Sequence, residues 1–306
     1  PRLPLVTLGL PLYNGEAFLS TALDSLIKQD YPNFEIVISD NCSTDRSREI
    51  CKEFGARDAR IRFSQNERNL GAAANFNKVV ELAKGEYFAW VNHDDRWKGN
   101  YVSLAVAALQ SDPTAVLAYA RSSKIDGKGE IVAPLLDHLA LDGSGAETRL
   151  ARYHDLFRIV DKTKDGWNTH GIEGLWIPIY GLLRAAALRE TAMIGPYISS
   201  DTILLEELLM RGKFHEIPER LFFKRDHTER SMRAKMSYDD RIDWFTGRKP
   251  GKLIFPRWRL LAERLRAVHR VGLPSEERFR CYREMVGFYI RRPHEGMALI
   301  KEILIN

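Results

Sequence analysis

The segment Phe88-Ala89-Trp90-Val91-Asn92-His93-Asp94-Asp95 runs from apolar residues straight into two adjacent carboxylates. Like charges a few ångströms apart repel unless they are solvated, paired or holding a cation. Hard cations such as Mg²⁺ or Mn²⁺ take oxygen ligands, commonly one or two carboxylates together with substrate phosphates. The run therefore reads either as a strand emptying into a metal-diphosphate site or as a polar turn with an Asp capping the next helix. Two more polar clusters close apolar runs, Pro11-Leu12-Tyr13-Asn14 and Asp40-Asn41. A fourth segment, Arg68-Asn69-Leu70-Gly71-Ala72-Ala73-Ala74, sets a basic residue before small ones at a helix start. Small side chains let backbone N–H groups approach an anion there, although alanines also open ordinary buried helices.

The elements that must position these clusters alternate over the first 120 residues. Leu5 to Leu10 is a continuous apolar strand ended by Pro11, and Phe18, Leu19, Ala22, Leu23, Leu26 and Ile27 recur at helical spacing. Glu35 to Ser39 is a second strand. Ser43-Thr44-Asp45 supplies cap chemistry for a helix through Phe54. Ile61 to Phe63, Tyr87 to Val91 and Ala115 to Ala120 are further strands, with helices over Gly71 to Leu82 and about Asn100 to Gln110. Strands separated by helices imply βαβ units and a mostly parallel sheet. Ligands of such sheets bind beyond the carboxyl ends of the strands, where the polar clusters fall.

After about residue 122 the pattern changes. Ser122 to Leu135 reads as strand, turn, strand around Asp126-Gly127, and Leu139 to Glu147 as a loop. Residues 148–158 and Thr202 to Met210 read as helices, and residues 214–225 as two short strands. Trp167 to Tyr180 is loop-like, and its aromatics Trp167, Trp176 and Tyr180 are candidates either for an acceptor pocket or for core. From about residue 234 the chain reads as helical and basic.

The chain has 306 residues with a net charge of +5, 44% apolar and 28% charged residues, ordinary for a globular protein. No run approaches the ~18 apolar residues of a membrane span, and no signal peptide is visible. Three scattered cysteines argue against a disulfide framework or a zinc site. A cytoplasmic setting is expected. From Arg248 to Asn306 there are 14 Lys or Arg against 6 Asp or Glu, an excess of 8, larger than that of the whole chain. This is either a solvated helical surface or a contact for an anionic membrane or another polyanion. Nucleic acid is not expected, because no recognition motif accompanies the charge.

Taken in order, Pro11-x-Tyr13-Asn14, Ile38-Ser39-Asp40-Asn41-x-Ser43-x-Asp45, Arg68-Asn69-x-Gly71 and the Asp94-Asp95 strand end resemble family 2 glycosyltransferases of the GT-A fold. The resemblance is strong over roughly the first 120 residues and weaker through Asp201 and His227. It implies an α/β fold: a Rossmann-like GT-A sheet, mostly parallel and flanked by helices, with a helical C-terminal extension. Residues 1–122 would bind the nucleotide-sugar, residues 123–230 would form the acceptor-binding and catalytic half, and residues 231–306 the basic extension.

What the resemblance implies for single residues is specific. Pro11, Tyr13 and Asn14 would lie against the nucleoside, and Asp40, beside Asn41, would accept a hydrogen bond from the base, commonly uracil; as residues, the first three also read as a tight strand-to-helix turn and Asp40 as a cap for the helix after Ser43. Arg68 and Gly71 would sit beside the nucleotide. Many relatives read Asp-x-Asp-Asp at the fourth strand end. Here Asn92 takes the first position and would touch the donor ribose or sugar, with His93 in the variable position. Asp94 would bind Mn²⁺ or Mg²⁺, helped by the late His227, with Asp95 as a ligand, supporting group or cap. Asp201 would be the general base, with Ser200 where relatives often carry Glu; as a residue it is equally an N-cap. The implied activity is inverting transfer from a nucleotide-diphosphate sugar, a UDP-sugar favoured, to a saccharide or lipid-linked acceptor. Two alternatives stay open. A Rossmann-type dinucleotide enzyme is disfavoured because Pro11-Leu12-Tyr13-Asn14-Gly15 replaces the glycine-rich turn. A binding module without turnover is permitted by Asn92 and Ser200.

Overall fold

The computed structural model describes residues 3–161, 173–227, 237–248 and 255–305. Strands β1 (Val6–Leu12), β2 (Phe34–Asp40), β3 (Ile61–Gln65) and β4 (Tyr87–Trp90) pair in parallel, in the order β3-β2-β1-β4. β1 and β2 are buried along their whole length, which is why they read as unbroken apolar runs rather than alternating ones. Pro11 lies inside β1 rather than ending it. It is past Gly9, the last β1 residue registered with β4, so its missing N–H falls where that neighbour has already stopped. The helix Leu19–Ile27 covers this half through Leu19, Ala22, Leu23 and Leu26, a single buried stripe.

Beyond β4 the sheet continues through β8 (Leu182–Arg184), β6 (Ala115–Ile125), β9 (Lys213–Arg225) and the two-residue β5 (Arg96–Trp97), and β7 (Ile131–Pro134) pairs with β6. The long pairing here, β6 with β9, is parallel, whereas β8, β5 and β7 pair antiparallel and are short. The sheet is thus α/β and mostly parallel, with antiparallel insertions confined to the second half. The line drawn at residue 122 falls within β6.

Residues 214–225 form one strand instead of the expected two. Ala120 pairs with Ile217 but Arg121 with Arg220, so Pro218 and Glu219 bulge out of the ladder. A proline cannot donate to a ladder, so the strand accommodates it as an irregularity instead of stopping.

The basic C-terminal region is helical, as Tyr238–Thr246, Pro256–Val271, Ser275–Arg291 and Pro293–Ile305. It is joined to the sheet by the helices Ala146–Asp161 and Ser200–Arg211. Leu150, Ile203, Met210, Ala267, Val268 and Met285 form a second apolar cluster between them. Among the described residues no helix is long and apolar enough to cross a membrane.

Candidate active site

A cavity of about 580 Å³ opens at the carboxyl ends of β1 and β4. Of the residues singled out in the sequence, Pro11, Tyr13, Asn14, Asn41, Asn92, His93, Asp94, Trp176, Tyr180, Asp201 and His227 line it. Asp40, Arg68, Gly71 and Asp95 do not, and Trp167 lies outside the described residues.

The loops after β1 and β2 owe their shape to their own polar side chains. Asn14, at φ 48°, accepts from the Thr44 N–H (2.9 Å), while Ser43 Oγ accepts from the Asn14 N–H (2.9 Å). Asp45 accepts from the Glu16 N–H (2.9 Å), and Glu16 in return from the Arg46 N–H (2.8 Å). The loop after β1 is therefore laced to the loop after β2. Asp40 is fully buried, and its carboxylate accepts from the Ser43 N–H (3.2 Å) and from Gln65 Nε2 (3.0 Å). Asn41 turns toward the third loop, accepting from the Leu70 N–H (2.9 Å) and donating to Asn69 Oδ1 (2.8 Å). Arg68 is exposed on the outer side of that loop. Asn75, which sequence reasoning passed over, lines the cavity and ties the helix Ala72–Leu82 to β2 by donating to the Ser39 carbonyl (2.9 Å). Its helix also carries Asn77, Lys78 and Glu81, so nothing in the sequence set it apart.

At the end of β4 the two carboxylates diverge. Asp94 faces the cavity, with Oδ2 3.1 Å from His227 Nε2. Burial works against its ionisation, but the His227 hydrogen bond and the charges of His93 and Lys224 outweigh it and hold Asp94 well below the usual carboxylate range. Asp95 is buried and turned away from the cavity. Its oxygens accept from Asn92 Nδ2 (2.9 Å) and the Arg225 N–H (2.9 Å), so it braces the strand end and leaves neither oxygen facing a metal. Burial and the neighbouring Asp94 charge push its pKa up. Arg225 completes the brace, donating through Nε to the Asp94 carbonyl (2.8 Å) and stacking over Phe18, whose ring also meets the His227 ring at 4.8 Å.

The donors brought within reach of each other at this end of the cavity are one carboxylate oxygen of Asp94 and one imidazole nitrogen of His227, a pair suited to Mn²⁺. Adjacent ligands of an octahedral ion with bonds of about 2.1 Å lie about 3.0 Å apart. The Asp94–His227 separation of 3.1 Å fits that spacing. Among the described residues no set of three or more His, Cys, Asp or Glu converges, so the remaining positions would fall to phosphate oxygens and water.

Across the cavity, Asp201 sits in the first turn of the helix Ser200–Arg211, after Ser199 in the left-handed region (φ 68°). It does not cap that helix by the usual bond. Its Oδ1 accepts from the adjacent Thr202 N–H (2.9 Å). Burial raises its pKa, only partly opposed by that N–H and the Lys224 charge. Lys224 is itself mostly buried, and its Nζ lies 4.5 Å from the Tyr180 ring centroid. Trp176 donates through Nε1 to Thr202 Oγ1 (2.9 Å), fixing one ring edge, and a 3-10 segment, Gly174–Tyr180, holds both aromatics. In the sequence Lys224 and Arg225, just before His227, read as suited to phosphate, and of the two Lys224 lines the cavity.

Comparison with known proteins bears on this arrangement. The model of a family described as "Glycosyl transferase family 2" matches residues 7–174. TuaG of Bacillus subtilis, named for teichuronic acid biosynthesis, is 39% identical over 95 residues, which are 31% of this chain and 38% of TuaG. The chain matches less than half the length of such curated relatives. In fold it is similar to Staphylococcus aureus TarS 1–349 in complex with UDP-GlcNAc (TM-score 0.63, 16% identity, covering 94% of this chain and 72% of that one). It is also similar to the mannosyltransferase PcManGT from Pyrobaculum calidifontis in complex with GDP-Man and Mn²⁺ (TM-score 0.55, 15% identity, covering 100% and 76%).

Proposed function

Because the chain belongs to glycosyl transferase family 2, whose model spans more than half of it, we propose that it moves a sugar from a nucleotide-diphosphate donor to an acceptor hydroxyl. The observation that carries this reading is that Asp201 and the Asp94–His227 pair face one cavity at the carboxyl edge of the sheet. The loops after β1 and β2 form its nucleoside side. Asp94 and His227 are the residues that would hold Mn²⁺ or Mg²⁺. When bound, such an ion lowers the cost of charge developing on the leaving diphosphate.

Asp201 is the general base. Its carboxylate takes the proton from the acceptor hydroxyl as the hydroxyl oxygen bonds to the anomeric carbon. The bond from that carbon to the diphosphate oxygen breaks in the same step, and the electron pair leaves with the nucleotide. One displacement from the opposite face inverts the anomeric configuration. Burial makes Asp201 a stronger base than an exposed Asp, which suits the role. Trp176 and Tyr180 line the cavity, where an acceptor sugar would meet them. Saccharide or lipid-linked acceptors both fit, and relatives named for polysaccharide biosynthesis support that class.

Thermal unfolding with UDP, GDP, dTDP, CDP and NAD, each with and without Mn²⁺, tests the reading. A ligand at 100 times its dissociation constant adds about 2.7 kcal/mol. Stabilisation by one nucleoside diphosphate that needs Mn²⁺ is expected, with UDP the first candidate. Stabilisation by NAD alone, or by none of the panel, would overturn it.

A further inference from the structure

The cavity has a wall that the sequence did not suggest, the helix Tyr238–Thr246. Arg241, Trp244 and Phe245 follow an i, i+3, i+4 spacing, share one face, and line the cavity. The helix is short, yet both of its ends are built. Ser237 and Asp240 form a reciprocal capping box, and Gly247 closes the helix in the left-handed conformation (φ 66°), its N–H donating to the Asp243 carbonyl at 2.7 Å.

That closing glycine is also the seat of the helix. A Cβ on Gly247 would stand 2.8 Å from the Leu70 carbonyl carbon and oxygen. A Cβ on Gly71 (φ 83°) would stand 2.4 Å from the Gly247 nitrogen and 2.5 Å from the Thr246 carbonyl carbon. Backbone meets backbone, and only glycine fits on either side. The loop that receives the helix is the one Asn41 holds through the Leu70 N–H and Asn69 Oδ1. Both Asn41 and Asn69 line the cavity. The helix is thus docked on the nucleoside-side loops, independently of the Asp94–His227 pair.

We propose that the helix Tyr238–Thr246 is a donor-binding wall, in which Trp244, the nearer to the glycine seam, packs against the nucleoside and Arg241, one turn further away, binds the diphosphate. Trp244 is half-buried, so part of its ring is open to the cavity, and an indole face stacks on any base. A guanidinium matches the bidentate geometry of phosphate oxygens better than an ammonium does. The inference rests on the transferase reading above and deepens it by adding a second side to the donor site.

The test measures the dissociation constant of UDP, or of whichever nucleoside diphosphate stabilises the wild type, with Mn²⁺ present, by calorimetry. The proteins compared are wild type, Arg241→Ala, Trp244→Ala, Trp244→Phe and Gly247→Ala, each with its unfolding temperature recorded. Trp244→Ala, Arg241→Ala and Gly247→Ala are expected to weaken binding roughly tenfold or more, and Trp244→Phe to keep it within about threefold. Donor hydrolysis should show a correspondingly raised KM for the donor. Unchanged nucleotide affinity in folded Arg241→Ala and Trp244→Ala proteins overturns the proposal, even where the KM for acceptor rises. If the wild type itself binds no nucleoside diphosphate, the transferase reading fails first and takes this inference with it.

Discussion

Asp94 and Asp95 are neighbours with opposite tasks, and their substitutions separate the tasks. Asp94→Ala is expected to abolish the Mn²⁺ requirement of nucleotide stabilisation, because it removes the carboxylate that meets His227 at the cavity. Asp95→Ala leaves the Arg225 N–H and the Asn92 amide without their acceptor. It should cost about 2 kcal/mol, read as a lower unfolding temperature. Asp95→Asn should cost less, since the Asn92 amide can turn so that its oxygen accepts from the new side chain, and its Mn²⁺ response should persist. A loss of metal response in Asp95→Asn as complete as in Asp94→Ala would contradict this division. Asp201 carries a pH signature. A base works ionised, and burial raises its pKa, so kcat should fall as pH drops through a value above the ordinary Asp range. Asp201→Asn should be inactive at every pH while keeping its nucleotide affinity. At this scale much of the cavity was legible, because polar residues at strand ends are recognisable wherever an apolar run stops. What was not legible is direction. Beyond β4 the chain bends at His93 and Asp94 and Asp95 turns inward, while Asp40 takes the turn-capping role its sequence context also allowed, accepting from Ser43 and Gln65.

The helix that carries Asp201 is held from behind by a buried charge network. Glu206 accepts from Arg264 through Nε (2.9 Å) and Nη2 (2.9 Å) and lies 3.3 Å from His154 Nε2. His154 Nδ1 in turn lies 2.8 Å from Glu284, and Arg264 donates to Tyr289 OH (2.8 Å). Four helices meet there, those beginning at Ala146, Ser200, Pro256 and Ser275. Burial opposes ionisation of Glu206, but the Arg264 charge and the His154 hydrogen bond outweigh it and lower the pKa from 4.5 to about 2. A depressed carboxylate pKa adds stability above the unfolded value and loses it as pH falls between the two. Here that is on the order of 3 kcal/mol, present above about pH 4.5 and gone near pH 2. Glu206→Gln leaves the Arg264 charge buried without its partner and should cost about 3–5 kcal/mol near neutrality. The stability gap between wild type and Glu206→Gln, followed by denaturant unfolding, should narrow from pH 5 downward. A gap constant across that range would mean the network is not ionic. The helix itself was legible from its apolar run. Its anchoring was not, because Glu206 looks like any helical surface acid until Arg264, 58 residues later, folds back onto it.

Over the whole molecule, periodicity identified the parallel half, since fully buried strands and one-sided helices leave strong patterns. The second half was harder. β8 and β5 have three and two residues, too short to show any period, and Pro218 masked the continuity of β9. The basic C-terminal excess also changes meaning once folded. Arg264 and Arg270 neutralise Glu206 and Glu207 on the Asp201 helix, and Arg291 and Arg257 pair with Glu284 and Glu295. Arg264 and Arg270 are therefore turned against acids of the Asp201 helix, whereas Arg291 and Arg257 pair within the C-terminal region itself. If these helices brace the Asp201 helix, they cannot melt apart from it. Each desolvated pair would leave an uncompensated charge on both partners, and the apolar cluster joining Ile203 and Met210 to Ala267, Val268 and Met285 would open as well. Calorimetry should therefore show one transition, with calorimetric and van't Hoff enthalpies equal. Arg264→Ala should lower that single transition and reduce kcat without a comparable change in nucleotide affinity, since it loosens the base and leaves the donor loops alone. Two resolved transitions, with the one at higher temperature untouched by Arg264→Ala, would show instead that the C-terminal helices are a separate unit.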